Sequence, residues 1–304
     1  MPRIEYIQKN LRASTLDLID KANQIIRTYQ AQGYSLTLRQ LYYQFVSKNW
    51  IPNKQREYNR LGKAVSTGRL CGLIDWNAIN DNLRELESNS HWGSPGEIIE
   101  AVANQYSIDM WQNQKYRPEV WIEKDALSSI VRRACEPLDV PYLVCRGYAS
   151  QTAVWKAGMR METFIMDGQT PVVFHFGDHD PSGIDMTRDN RDRLQLFTGG
   201  GFDFKRIALN MNQVQKHNPP PNPVKQTDSR GTGYEIKYGK TCWELDALDP
   251  ATLEALIKKC INSVRDKKKW KDMVQKEADE KKQLQAVSDN WDSVVEHLED
   301  TGEL

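Results

Sequence analysis

Two aspartates follow an apolar run in the stretch VVFHFGDHDPSG, residues 172–183. Asp178 and Asp180 are two positions apart, so in an extended chain their side chains face the same side. Like charges this close repel, and the repulsion is tolerable where a cation or a reacting group lies between them. A third acid, Glu123, ends the earlier apolar run EVWIEK. The spacing therefore indicates a site in which carboxylates act together.

Carboxylate oxygens determine which ion such a site would prefer. Three carboxylates make a hard-oxygen site, which favours Mg²⁺ or Mn²⁺ over Zn²⁺. We therefore predict that Glu123, Asp178 and Asp180 bind Mg²⁺, with Mn²⁺ as a substitute. Asp185, near the start of the following helix, would add negative charge as a supporting residue. The alternative is a plain turn, because Asp favours turns for its own hydrogen bonds.

Short apolar runs alternate with segments of helix length in the middle of the chain. The runs cover 119–124, 142–147, 171–178 and 206–210, and the helical segments cover 126–138, 150–166 and 183–196. This alternation predicts an α/β fold with a parallel sheet flanked by helices. Ligands of such sheets bind beyond the carboxyl ends of the strands, where the acids fall.

The N-terminal third has a different pattern. Apolar periodicity predicts a helix over 15–32, and Thr37 with Gln40 forms a capping box before a second helix. A basic polar stretch at 54–63 and a turn-rich segment up to Gly72 follow. Short helices around a basic turn favour a mostly α-helical winged-helix module.

A cluster of Gly, Pro and Ser at 88–97 is the best linker. We therefore expect three domains: a DNA-binding domain at 1–90, the α/β domain at 97–250 and a C-terminal helical extension at 251–304.

Charge is unevenly distributed along the 304 residues. Lys and Arg number 41, as do Asp and Glu, but thirteen basic residues face six acidic ones between Met1 and Arg84. A basic first third suggests a polyanion-binding module. Phosphate contacts position a protein on DNA without reading its sequence. The alternative is that these basic residues only form a solvated surface. The basic residues that we expect at DNA phosphates are Lys54, Arg56, Arg60, Lys63 and Arg69.

Several classes of protein are disfavoured by what the sequence lacks. No apolar run reaches the 18 residues of a membrane-spanning helix, and the N-terminus has no apolar signal region. The five cysteines are scattered and include no CxxC pair, which argues against a zinc site or a disulfide framework. We therefore expect a cytoplasmic, DNA-associated protein without a membrane partner.

The order of these motifs resembles a known family. A strand ending in Glu-Lys, followed after a β-α-β interval by DxDPxG, resembles the toprim domain. The segment LRQLYYQF at 38–45 is similar to the R-x-x-Y-Y signature of the topoisomerase VI A subunit and its relative, the meiotic double-strand-break transesterase. WELDAL at 243–248 resembles another family segment. The likeness covers about residues 35–250, and the chain length is closest to the compact Mini-A members of this type IIB family.

The resemblance implies roles for individual residues. Tyr43 would be the nucleophile that forms a 5′-phosphotyrosine with DNA, and Arg39 would assist it. Glu123, Asp178 and Asp180 would hold the metal, with Lys124 as a supporting residue. The family's active site combines residues of two subunits, so a homodimer acting on duplex DNA is implied. A separate ATPase subunit, the B subunit of topoisomerase VI, is a further partner that the sequence does not establish.

Other interpretations remain open at this level. Leu38, Leu41, Tyr42 and Phe45 form an apolar helical stripe, and Tyr43 would pack at its edge if it had no chemical role. A toprim-type nuclease would hydrolyse DNA without a covalent intermediate. A DNA-binding protein with a degenerate site would not cleave at all. DxDxS also resembles the nucleophile motif of haloacid-dehalogenase-type phosphatases, although here it does not lie in the first strand.

Overall fold

The protein divides into two compact units in the computed structural model, which describes residues 3–79, 89–225 and 227–303. One unit comprises Met1–Arg84 with Pro118–Ser263, and the other Glu85–Arg117 with Val264–Leu304. The end of the predicted N-terminal domain, residues 80–88, lies outside the described residues, as does the first residue of the predicted linker. The division into three domains by type stays a prediction.

Helices and strands follow one another much as the sequence patterns indicate. In chain order they are α1 (Ala13–Ala31), α2 (Leu38–Ser47), α3 (Gln55–Leu70), α4 (Pro95–Gln105), β1 (Tyr116–Ile122), α5 (Ser128–Cys135), β2 (Tyr142–Val144), α6 (Gln151–Met166), β3 (Thr170–Phe176), α7 (Pro181–Thr198), β4 (Asp203–Ala208), α8 (Met211–His217), β5 (Asn222–Pro223), α9 (Gly231–Tyr238), β6 (Thr241–Cys242), α10 (Pro250–Val264), α11 (Lys267–Asp289) and α12 (Trp291–Thr301).

The predicted capping box opens α2. The Thr37 side chain accepts a hydrogen bond from the Gln40 N–H, and the Gln40 side chain accepts one from the Thr37 N–H. These bonds satisfy two of the backbone donors that a helix start leaves free. The apolar side of α2, including Leu41 and Phe45, packs with α1 and α3 in one buried core.

Helix α3 corrects the sequence interpretation of its segment. A polar stretch followed by turns was expected from 54 to 72, whereas Gln55–Leu70 is one helix. Its glycines serve close packing, not turns. A Cβ at Gly68 would lie 3.0 Å from Ile74 and 3.2 Å from Ile19. Because only glycine permits this approach, a pattern read as turn-forming is compatible with a buried helix.

Pairing of β-type in residues 3–79 is limited to isolated bridges. Glu5 pairs with Cys71, and Leu36 pairs with Ile79. Three helices and these bridges are the parts from which a winged-helix module would be built. The winged-helix assignment stays a prediction.

The central sheet is parallel, as predicted, with strand order β2-β1-β3-β4. The chain moves from β1 to β2 on one side and then crosses to β3 on the other. The strand order therefore reverses between β1 and β3, and open α/β sheets bind ligands at such a switch point.

Helices α6 and α7 cover one apolar layer of this sheet. Trp121 and Val173 of the two central strands pack with Val154, Met161 and Leu194 in a buried cluster. Burial explains why β1 and β3 read as continuous apolar runs and not as alternating ones.

A short turn at Leu245–Ala247 links the sheet to the N-terminal helices. It forms a 3₁₀ turn that contacts α2, and Ala247 is part of the α1–α3 core. This turn belongs to the WELDAL segment. The unit formed by Glu85–Arg117 and Val264–Leu304 is helical, with α4 packed on α11. Among the described residues, no helix is long and apolar enough to cross a membrane.

Candidate active site at the carboxyl edge of the sheet

Glu123 and Asp178 lie on either side of the switch point. Each follows the end of its strand, β1 or β3, and the Asp178 N–H donates to Glu123 Oε2 at 2.9 Å. Both carboxylates are buried. Burial raises the pKa of both groups, and their mutual repulsion raises that of Asp178 further. The sheet therefore brings together, in a buried position, two of the three acids predicted to bind a metal.

Lys124 is the central cation of the site. Its Nζ lies 2.9 Å from Asp178 Oδ2, 2.6 Å from Glu244 Oε2 and 3.2 Å from Asp246 Oδ1. Burial would lower the pKa of Lys124, but these three carboxylates outweigh burial and raise it. The ammonium group is thus held in its charged form.

Arg39 continues this network towards the tyrosine. Its Nε lies 2.8 Å from Asp246 Oδ2, and its guanidinium also pairs with Glu244. The same guanidinium donates to Tyr43 Oη at 3.4 Å. One chain therefore contains a continuous tyrosine–acid network, which we define as Tyr43, Arg39, Glu244, Asp246, Lys124, Asp178 and Glu123.

Tyr43 is buried but borders a polar cavity. The residue is 4% exposed. The cavity measures about 300 Å³, and Arg39, Lys54 and Glu244 are among its lining residues. Burial and then the charges of Asp246 and Glu244 raise the pKa of Tyr43, and Arg39 opposes them. The phenol is therefore neutral at pH 7, and it becomes a better nucleophile only if those acids are neutralised.

Tyr42 has a structural environment. Its hydroxyl donates to Asn53 Oδ1 at 3.0 Å and to the Lys54 carbonyl at 3.3 Å. Its ring meets those of Tyr43 and Tyr58 edge to face. These contacts fix the turn between α2 and α3, which places Lys54 beside the Tyr43 cavity.

Asp180 has the turn role that was the alternative to metal binding. Its Oδ1 accepts hydrogen bonds from the Gly183 N–H at 2.6 Å and the Ser182 hydroxyl at 3.0 Å, which caps α7. The charge of Asp180 nevertheless contributes to the raised pKa of Glu123. A side chain that caps a helix with one oxygen keeps the other available, so capping and metal binding are compatible.

Asp185 points to a different cluster. Its carboxylate accepts a hydrogen bond from Tyr148 at 2.6 Å and pairs with Arg188 at 2.8 Å and Arg230 at 3.2 Å. These bonds lower its pKa, although burial opposes them. Asp185 is thus held in this cluster and is not part of the tyrosine–acid network, and its supporting role stays a prediction.

Arg206, on β4, is a positioning residue that the sequence did not reveal. Its guanidinium donates to the carbonyls of Gly177 at 3.1 Å, Asp178 at 2.6 Å and Gly183 at 3.0 Å. A planar fork suits several acceptors at once. Arg206 therefore holds the loop that carries Asp178 and Asp180.

Glu244 and Asp246 were also missed as site residues, although a signal was present. WELDAL repeats the two-residue spacing of acids seen in DHD, but it was noted only for its family likeness. Burial raises the pKa of Asp246. Burial also acts to raise that of Glu244, but Lys124 and Arg39 outweigh it and lower the pKa to about 2.

The predicted phosphate-binding residues separate into two groups. Lys54, Arg56, Arg60 and Lys63 are exposed at or along α3. Arg69 instead donates to the backbone carbonyls of Trp76 and Ile79. Its guanidinium stabilises the local chain, and its phosphate contact stays a prediction.

The chemistry of the acids fits a divalent cation. Carboxylate oxygens are the ligands that Mg²⁺ prefers, and a bound cation would favour the charged forms of Glu123 and Asp178, whose pKa values burial raises. Lys124 occupies one oxygen of Asp178. As placed, residues 3–79, 89–225 and 227–303 contain no group of three acidic, His or Cys side chains gathered around one ion position. Ion binding would therefore require the Lys124 side chain to move.

Comparison of the chain with protein-family models, curated proteins and solved structures gives no match.

Proposed function

We propose that this protein is a Mg²⁺-dependent DNA-cleaving enzyme of the topoisomerase VI A type, in which Tyr43 attacks a DNA phosphate. The observation that carries the proposal is the tyrosine–acid network. Arg39 contacts Tyr43 and two acids, and Lys124 connects those acids to Asp178 at the sheet edge. Residues 39 and 43 are thereby joined to acids more than a hundred positions away, which local packing of α2 would not require.

The reaction balances as a transesterification. Tyr43 Oη forms a bond to phosphorus as the bond between phosphorus and the 3′-oxygen breaks, the phenol proton leaves to water in the cavity, and the 3′-oxygen takes up a proton. The product is a 5′-phosphotyrosine, which keeps the phosphodiester energy. Arg39 lies close enough to Tyr43 to hold a phosphate there. Bound Mg²⁺ would supply positive charge to the phosphate oxygens and the leaving group.

Charge compensation explains how Tyr43 would be activated. Asp246 and Glu244 are, after burial, the main causes of its raised pKa. Glu123 and Asp178, with Asp180, are the residues that would hold Mg²⁺. With Asp178 engaged by the metal, Lys124 would remain with Glu244 and Asp246 and would neutralise them more fully. The Tyr43 pKa would then fall, so that metal binding and nucleophile activation would be coupled.

The fold supports the same proposal through its parts. We propose that α1–α3 form the winged-helix module and that the parallel sheet is the toprim domain. The exposed basic residues of α3 would contact duplex DNA in the cytoplasm. Cutting both strands requires two copies of the site, so we propose a homodimer, with a separate ATPase subunit as a further candidate partner.

The contacts within one chain favour a site completed in one subunit, in contrast to the shared site that the family resemblance implies. Mixed dimers distinguish the two arrangements. Tyr43→Phe and Asp178→Asn subunits should each be inactive alone, and a shared site would regain activity on mixing because one dimer site then has both groups. We expect no recovery when dimers exchange subunits, and recovery would contradict a site within one chain.

A covalent-trapping experiment tests the function. Duplex DNA labelled at its 3′ ends, which stay on the fragments that would carry the 5′-phosphotyrosine, is incubated with protein and Mg²⁺, denatured and separated by size. We expect labelled DNA bound to protein, lost in Tyr43→Phe and retained in Tyr42→Phe, the matched control that removes a neighbouring hydroxyl. Free 5′-phosphate ends with full activity in Tyr43→Phe would refute the tyrosine mechanism.

That outcome would support a hydrolytic nuclease, the second candidate. The raised pKa and burial of Tyr43 favour it, because a neutral buried phenol is a poor nucleophile. Asp178→Asn abolishes cleavage under both mechanisms. DNA binding without cleavage in Mg²⁺ or Mn²⁺ would instead identify a DNA-binding protein with a degenerate site.

A further inference from the structure

A basic groove lies between the N-terminal segment and α3. Its volume is about 860 Å³, and its two walls are residues 9–18 and the α3 residues from Arg56 to Thr67. The second wall contains three residues predicted to bind DNA. The first wall was not predicted, and it contributes two further cations, Lys9 and Arg12.

The charge of this groove is one-sided. Its described lining residues include five cations and no Asp or Glu, and the cations are all exposed: Lys9, Arg12, Arg56, Arg60 and Lys63. Glu57 pairs with Arg60 at 3.1 Å and offsets one of these charges. Like charges brought together on a surface repel, and a bound polyanion relieves that repulsion.

The groove is connected to the Tyr43 cavity along α3. A cavity of about 560 Å³ lies between them and shares Asn59, Lys63 and Thr67 with the basic groove. It shares Tyr58 with the Tyr43 cavity. Neighbouring cavities thus share side chains of α3, and we call the three cavities together the α3 track.

The length of the α3 track fits an extended ligand. The helix rises about 1.5 Å per residue, so the thirteen steps from Lys54 to Thr67 cover about 20 Å. One DNA strand advances about 3.4 Å along the duplex axis per phosphate, so 20 Å corresponds to about six phosphates. A small anion would occupy one end of such a track and leave most of its cations unpaired.

We propose that Lys9 and Arg12, on the first wall, bind duplex DNA together with the α3 cations, and that one strand follows the α3 track with a phosphate at Tyr43. The inference deepens the proposed function and rests on it for the choice of DNA. Backbone phosphates are the ligand groups, so the groove sets position and not sequence. The N-terminal segment holds the duplex on the side of α3 distant from the tyrosine.

The salt dependence of DNA binding tests this site without cleavage. Binding of a fluorescent 20-base-pair duplex is measured in EDTA between about 50 and 200 mM salt, and log K is plotted against log salt. The test variant is Lys9→Gln/Arg12→Gln. The control is Lys156→Gln/Arg191→Gln, which removes the same charge from exposed positions on α6 and α7. Thermal unfolding checks that both variants fold.

Each lost phosphate contact reduces the slope by about 0.9, so the test variant should have a slope shallower by about 1.8, while the control keeps the wild-type slope. An unchanged slope in the test variant, or an equal change in the control, overturns the inference. A change of slope seen with single-stranded DNA but not with duplex DNA also overturns it. The same holds if the wild-type protein binds no DNA.

The two proposals can fail separately. A Tyr43-dependent covalent product together with an unchanged slope would remove the DNA track and leave the cleavage mechanism. A shallower slope together with no covalent product would keep the track and remove the mechanism.

Discussion

Replacement of Lys124 by Met is the most informative perturbation of the site. The substitution keeps the length of the side chain and removes the charge that Asp178, Glu244 and Asp246 share. Arg39 stays in contact with Glu244 and Asp246, but Asp178 loses the cation that it pairs with. Three buried or half-buried carboxylates then remain with one cation.

The expected cost follows from this imbalance. The Lys124 side chain is 17% exposed and that of Asp178 7%. Removing one partner of a buried ion pair costs about 3–5 kcal/mol, and the retained Arg39 contacts place our expectation at about 3 kcal/mol. For a unit of this size that corresponds to a fall of about 6–12 °C in Tm. The loss is tied to Asp178, so Lys124→Met/Asp178→Asn should be less destabilised than the sum of the single variants by about 1–3 kcal/mol.

The pH dependence of stability tests whether Lys124 neutralises these acids. Without Lys124, the pKa values of Asp178 and Asp246 rise further above those of the unfolded chain, and the pKa of Glu244 rises from its lowered value. The native variant therefore takes up protons as the pH falls, and its deficit relative to wild type should shrink from pH 8 to pH 5. Mg²⁺ should raise the Tm of the variant more than that of wild type, because the ion no longer competes with the ammonium group.

Calorimetric or fluorescence-detected unfolding of both proteins gives these quantities. Lys156→Met, at an exposed position, is the matched control and should leave Tm within about 2 °C, since surface substitutions change stability by about 0.5 kcal/mol or less. A Tm of Lys124→Met equal to that of wild type at pH 8, or a deficit that grows towards pH 5, would show that Lys124 does not neutralise the acids.

Three further predictions concern the loop that carries the acids. Gly183→Ala should destabilise the protein by about 1–3 kcal/mol, because the added Cβ would lie 2.3 Å from the Asp178 carbonyl oxygen. Gly233→Ala, with nothing within 4 Å of its Cβ, is the control. Equal Tm values for the two variants would contradict the close approach. Arg206→Lys should lower the stability of the protein by about 2–3 kcal/mol and weaken cleavage, because an ammonium group cannot reach three carbonyls as the guanidinium does. The control is Lys205→Met, at an exposed position. A Tm and a cleavage rate unchanged in both variants would exclude a positioning role for Arg206. Asp180→Asn should keep the α7 cap and lose cleavage. Asp180→Ala should lose cleavage and also about 1 kcal/mol of stability, because it removes the cap. Full cleavage by Asp180→Asn would mean that Asp180 only caps α7.

Much of the architecture followed from local patterns. The Thr37 capping box, the four strands and the helices between them are encoded by neighbouring residues, so periodicity and turn chemistry predicted them. The failure at α3 has a physical reason. Gly68 lies where α3 approaches Ile19 and Ile74, and a contact between elements cannot be read from residues adjacent in sequence.

The sequence by itself determined that acids end the two central strands and that a basic segment lies near a tyrosine. The tertiary structure alone decided how these groups meet. Arg39 contacts Asp246 across 207 residues, and Lys124 contacts Glu244 across 120. Such contacts depend on how the Leu245–Ala247 turn packs on α2, which no local pattern encodes. Burial of an unpaired charge costs free energy, so the buried acids need cations close by, and the packing places Lys124 and Arg39 there.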